Sequence, residues 1–147
     1  MALKMAGVGQ LRRSAGFTLM ELMITLAIVA ILATVALASY RGQVVRSNRA
    51  AAEGFMLEIS SKEERYLLDN RQYATSLAGL GMTVPAEVSG NYTVTVADND
   101  TGSSVPGYII RATPIASQLA GDTDCGTLTL NHLGAKTASG SGSRCWR

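Results

Sequence analysis

From Phe17 to Ala38 the chain is apolar everywhere except Thr18, Glu21, Thr25 and Thr34. As a helix this run would be about 33 Å long at roughly 1.5 Å per residue, enough to cross the hydrocarbon core of a bilayer once. The helical pattern continues beyond it, because no proline occurs before Pro85 and Gly42 and Gly54 are isolated. One helix from Phe17 to about Asn70 is predicted. In its second half Ala52, Phe55, Met56, Ile59, Tyr66 and Leu67 share one arc, while Glu53, Glu58, Glu64 and Arg65 lie off it. Two residues break the pattern: Glu63 falls within the apolar arc and Leu57 outside it. The arc is read as packing surface for the domain's own sheet.

From Arg71 to Gly90 the pattern becomes irregular, punctuated by Gly79, Gly81, Pro85 and Gly90, and a connecting loop is expected. Asn91 to Ala97 then alternates, with Tyr92, Val94 and Val96 on one face and Thr93 and Thr95 on the other, as a half-buried strand does. Gly107 to Thr113 sets Tyr108 and Ile110 against Ile109 and Arg111, and Thr127 to Asn131 carries Leu128 and Leu130 inward. Three antiparallel strands against the helix make an α+β domain. A fourth strand after the turn at Asn131 to Gly134 competes with the small-residue stretch Ala138 to Ser143, which reads as flexible.

Charge orients the anchor. Lys4, Arg12 and Arg13 precede the apolar run with no acidic residue among them, so this end stays cytoplasmic and the rest is exported. An ordinary secretory signal has its small residues after the apolar stretch, whereas here Gly16 stands before it. A cut at Gly16 would remove the basic leader and keep the helix. The formal charge of +2 then falls by the three leader cations to −1, which gives no global reason to expect nucleic-acid binding. Glu21 is an ionisable group within a span and asks for a cation. No Lys, Arg or His lies between Gly16 and Arg41, so the new amino group at Phe17 is the cation that cleavage supplies. The plainer reading is a partly interfacial carboxylate on a signal anchor.

Gly16, Phe17, Thr18, Leu19 and Glu21 together resemble the class III prepilin signal of the type IV pilin family, in which a basic leader ends in Gly and a Glu follows four residues after the Phe. The resemblance implies cleavage between Gly16 and Phe17 by a prepilin peptidase, methylation of Phe17, and polymerisation. It also implies pairing of Glu21 with the amino terminus of a neighbouring subunit. The stretch Glu64 to Gly81 looks like that of the minor pilins related to PilE, and Cys125 to Asn131 is similar to the family's C-terminal region. Many major pilins have a proline where this chain has Ala38.

The implied organisation is a leader over 1–16, a transmembrane and assembly helix over 17–40, and a periplasmic, later extracellular, globular pilin domain over 41–147. The implied fold is the type IV pilin fold, α+β, with the helix's first half hydrophobic and its second half packed on a small antiparallel sheet. The implied function is that of a minor pilin serving pilus assembly, twitching motility and adhesion. The implied location is a single-pass inner-membrane precursor that becomes part of an extracellular pilus. Partners would be other pilin subunits, the prepilin peptidase, the assembly machinery and the inner membrane. The rival functions are a type II secretion pseudopilin and a DNA-binding or adhesive receptor pilin, with DNA or a surface ligand as the additional partner.

Cys125 and Cys145 both lie on the exported side, where a disulfide is the natural reading and would stabilise the fold by around 3 kcal/mol. Two free thiols, or a zinc site with His132, are the alternatives; two distant cysteines and one histidine fall short of the usual four ligands. One histidine and no nucleophile in a recognisable setting point away from an enzyme, and no cofactor is expected. His132 is placed in a turn after a strand. The pairs Asp98 with Asp100 and Asp122 with Asp124 suit turns or calcium, but lack the spacing of an EF-hand. Asn91 and Asn99 begin glycosylation-like triplets that a bacterial leader discounts. Arg41, Arg46 and Arg49 are expected at the interface or in solvent. A DNA surface would have to be drawn from Arg111, Lys136, Arg144 and Arg147, with Trp146 for stacking.

Overall fold

The computed structural model describes residues 16–99 and 106–146. Lys4, Arg12, Arg13, Asp100 and Arg147 lie outside these. Helix α1 runs Leu19–Asn70 over 52 residues, as the unbroken helical pattern predicts. Chain contacts divide the protein into two units, Met1–Leu37 and Ala38–Arg147.

In the second unit a short helix α2 (Ala86–Ser89) leads into strand β1 (Tyr92–Asp98), followed by β2 (Tyr108–Pro114), helix α3 (Ala116–Gly121), β3 (Leu128–Asn131) and β4 (Lys136–Ala138). The strands form one sheet in the order β1-β2-β3-β4, every neighbouring pair antiparallel. The fold is therefore α+β, with β4 present as the fourth strand. The turn before β4 is held by Asn131, whose side-chain oxygen accepts from Leu133 N–H and Ala135 N–H while Gly134 takes a φ of +73°. That left-handed conformation suits glycine.

Alternation decides which strand residues face the helix. Tyr92, Val94, Val96, Tyr108, Ile110, Ala112, Leu128 and Leu130 are buried and meet Ala52, Phe55, Met56 and Ile59 of α1 in one core. Leu57 is exposed on the opposite side of α1. Glu63 is buried, as its place within the apolar arc implies, but Glu53 is buried as well, against its expected position off the arc. The region read as a plain loop contains α2, and it supplies Ala74, Leu80 and Met82 to the core. The arginine after α1, Arg71, ends the helix in a left-handed conformation (φ +59°), its N–H bonded to Leu67 O at 2.8 Å.

The stretch Ala138 to Ser143, expected to be flexible, is tied down by backbone bonds. Ser139 N–H donates to Thr127 O, Gly140 N–H to Cys125 O and Gly142 N–H to Asp124 O. A Cβ at Gly140 would collide with the Asp124 carbonyl. Only a glycine allows that approach, so the small residues here serve contact rather than mobility.

Candidate functional site

Two parts of the chain carry candidate chemistry, and each is described within its own unit. At the N-terminal end Gly16, Phe17 and Thr18 precede the first helical residue and are exposed. Thr18 caps the helix: its Oγ1 accepts from Glu21 N–H at 3.2 Å, and its carbonyl accepts from Leu22 N–H at 3.1 Å. Thr18-Leu-Met-Glu21 is thus a capping-box sequence, a local signal that the motif reading passed over. The cap leaves the Gly16–Phe17 peptide bond outside the helix. It also puts the Glu21 carboxylate in the first turn, where the helix dipole favours negative charge.

The large apolar residues from Phe17 to Leu37 are 51 to 79 % exposed and lie all round the helix. A helix apolar on every side needs a lipid or protein environment. Its threonines are prepared for one: Thr25 Oγ1 donates to Leu22 O at 2.8 Å and Thr34 Oγ1 to Ile31 O at 2.7 Å. Those hydroxyls are satisfied within the helix. Among the described residues Glu21 forms no ion pair. The helix is long and apolar enough to cross a membrane.

In the second unit Cys125 and Cys145 are joined by a disulfide across a separation of 20 residues, with Cα atoms 5.3 Å apart. Beside it lies a groove of about 970 Å³ lined by Arg46, Arg49, Glu53, Asp122, Asp124 and Arg144. Acids and bases balance along this groove. Arg49 is not solvated as expected: Nη2 and Nε clasp the Asp122 carboxylate, and Nη1 donates to Arg144 O at 3.1 Å. Asp122 also accepts from Tyr92 Oη at 2.8 Å and Gln118 Nε2 at 3.2 Å. Burial foremost, and then that carboxylate, pushes the Tyr92 phenol above its ordinary pKa. An acid already bound to a guanidinium does not fit the calcium reading. Among the described residues no group of His, Cys, Asp and Glu could hold a metal.

The described cationic candidates are scattered. Arg111 lies between Thr95 and Thr129 in register, on the exposed, threonine-rich face of the sheet. Lys136 falls in register with Leu130, on the other face. Its ammonium is 5.4 Å above the ring of Trp146, whose Nε1 donates to Thr137 O at 2.8 Å. Trp146 packs against the core and is not the open stacking surface the sequence led us to expect. His132 sits in the turn after β3, against Tyr73 and Tyr108, and its N–H donates to Tyr108 O.

Comparison with known proteins places these features. A model of the prokaryotic N-terminal methylation motif matches residues 11–37. A model described as type IV minor pilin ComP, DNA uptake sequence receptor, matches residues 38–129. The fimbrial protein EcpC of Eikenella corrodens is 30 % identical over 132 residues, covering 89 % of this chain and 79 % of that protein. Type II secretion system core protein G of Dickeya chrysanthemi is 33 % identical over 73 residues, 50 % of this chain and 48 % of its own. The type IV wide pilus major component PilA4 of Thermus thermophilus is 34 % identical over 70 residues, 48 % and 53 % of the two chains. The chain thus spans about half the length of the last two relatives.

Proposed function

The chain belongs to the family of the type IV minor pilin ComP, and from that premise we propose that it is a non-catalytic pilus subunit inserted by its N-terminal helix. In this reading a prepilin peptidase cuts between Gly16 and Phe17, and the amino group of Phe17 is methylated. The precursor waits in the inner membrane with its leader cytoplasmic and its second unit periplasmic. The assembly machinery then transfers the helix from lipid to the helices of neighbouring pilins, in a pilus that serves motility and adhesion. The carrying observation is the Glu21 carboxylate, which has no ionic partner among the described residues and lies in an exposed apolar helix whose start Thr18 caps. A neighbour's amino terminus is the cation that would satisfy it.

The test is mass spectrometry of filaments sheared from cells, searched for a peptide beginning at N-methylated Phe17. Glu21→Ala should be processed but poorly incorporated. Normal incorporation of that variant would sink the pairing, and a processed chain confined to the membrane fraction would favour a secretion pseudopilin. The breadth of the EcpC match supports the pilin over the pseudopilin.

A second reading, display of a DNA receptor on the filament, is favoured by the description of the matched family over residues 38–129. Arg111, Lys136 and Arg144 would then contact phosphate from more than one face. Binding of duplex DNA that weakens steeply with salt would support this reading, and binding unchanged by replacing all three would remove these residues from it.

A further inference from the structure

Glu63 is a carboxylic acid with 0 % exposure in the core. Its Oε2 accepts one hydrogen bond, from Ala74 N–H at 2.9 Å. Its Oε1 is buried with no hydrogen-bond partner. Ala74 lies just past the left-handed turn at Arg71, where the chain leaves α1, and it is itself in the core. Glu63 therefore joins the end of α1 to the start of the connection 71–85, whose Leu80 and Met82 pack in the same core.

The neighbours of this carboxyl are acids and aromatics. Glu64 on the same helix accepts a bond from Tyr73 Oη of the connection. Tyr108 on β2 packs edge-on against Tyr73 at 4.9 Å and bonds Ser60 of α1, and His132 lies against both tyrosines. Asp98 ends β1. Lys62 and Arg65 flank Glu63 in sequence but are exposed, and no described ion pair joins either to it. A buried carboxylate with one donor and no cation is costly to keep charged.

We infer that Glu63 is a proton-dependent latch: the connection 71–85 docks on α1 while Glu63 is neutral, and ionisation of Glu63 releases it. The inference stands apart from filament assembly, since it concerns contacts within one subunit. Burial is the largest influence on this carboxyl and raises its pKa; the Ala74 N–H works the other way, and the charges of Glu64 and Asp98 add to the rise. An acid that holds its proton more tightly when docked stabilises docking fully below the ordinary carboxylate value of about 4.3. That stabilisation is lost as pH rises through the docked value.

The experiment is hydrogen exchange of the full chain in detergent micelles between pH 4 and pH 8, corrected for intrinsic rates. Protection of the Ala74 amide and of the connection should fall with rising pH, by up to about tenfold per pH unit at the steepest point. Glu63→Gln should flatten that dependence, while Glu64→Gln should keep it. Flat protection in the wild type, or an unchanged slope in Glu63→Gln, would overturn the latch. Should Glu63→Gln fail to fold, a carbon-13 titration of the wild-type Glu63 carboxyl decides: a midpoint at or below the ordinary value refutes the inference, and one clearly above it agrees.

Discussion

Arg49 and Asp122 meet across 73 residues of chain in a two-pronged ion pair, Nη2 to Oδ1 at 2.6 Å and Nε to Oδ2 at 3.0 Å. Their side chains are 12 % and 1 % exposed. The pair fastens α1 to the end of α3, and through Arg144 O it also fastens α1 to the disulfide loop. Removing one partner strands the other. Arg49→Ala should destabilise the protein by about 3–5 kcal/mol, because Asp122 is left buried without its cation. Arg46→Ala, at an exposed site on the same helix, should change it by less than about 0.5 kcal/mol. Urea unfolding of both variants checks this, and equal effects would contradict a special role for the pair.

Tyr92 gives the same cluster a dependence on alkaline pH. Its phenol is held above the ordinary value, chiefly by burial and then by Asp122. The folded state therefore binds this proton more tightly than the unfolded chain does. Stability from this source is intact below about pH 10 and declines as pH rises beyond it. Melting temperatures from pH 8 upward should show the decline, and it should be shallower in Tyr92→Phe.

The disulfide closes a loop across a sequence separation of 20, and its loss should cost around 3 kcal/mol. Replacing both Cys125 and Cys145 by Ser should lower the melting temperature and loosen the segment 138–143. Reduction of the native protein should act in the same direction.

Gly107 lies against the ring of His132, where an added Cβ would come within 2.5 Å of Nδ1 and 2.7 Å of Cε1. Gly107→Ala should therefore push the imidazole off Tyr73 and Tyr108 and cost about 1–3 kcal/mol. Combining it with His132→Ala should recover part of that loss, and strict additivity of the two would deny the clash.

At the other end, Thr18→Ala removes the acceptor for Glu21 N–H and should weaken the start of α1 by about 0.5–2 kcal/mol, while Thr18→Ser should be nearly silent. Amide exchange at Glu21 and Leu22 in micelles reads this directly.

Much of this protein is legible along the chain because its signals are local. The apolar run, the alternation of Tyr92, Val94 and Val96, and the turn at Asn131 each lie within a few residues, and the motif at Gly16 to Glu21 is contiguous. The capping role of Thr18 was equally local. It was obscured only because the same residues spell the prepilin motif.

Other features required the fold. Arg49 on the sequence is one of three basic residues after an apolar run, which ordinarily face solvent or headgroups. Only the return of the chain through β1, which carries Tyr92, and through α3, which carries Gln118 and ends at Asp122, assembles this cluster around it. Glu53 lies off the apolar arc by helical angle yet is buried, on the flank of α1 that lines the groove beside the disulfide. The flexibility expected of Ala138 to Ser143 disappears for a similar reason: close backbone approach to Asp124 and Cys125 demands small residues there. Periodicity and contiguous motifs thus determined the helix, the strands and the family resemblance, because each depends on neighbours in the chain. The tertiary structure decided which polar groups are buried, which partners they take, and that Arg111 and Lys136, two of the cationic candidates for DNA, fall on different faces of the sheet. Those depend on residues many positions apart, whose desolvation is set only once the chain has packed.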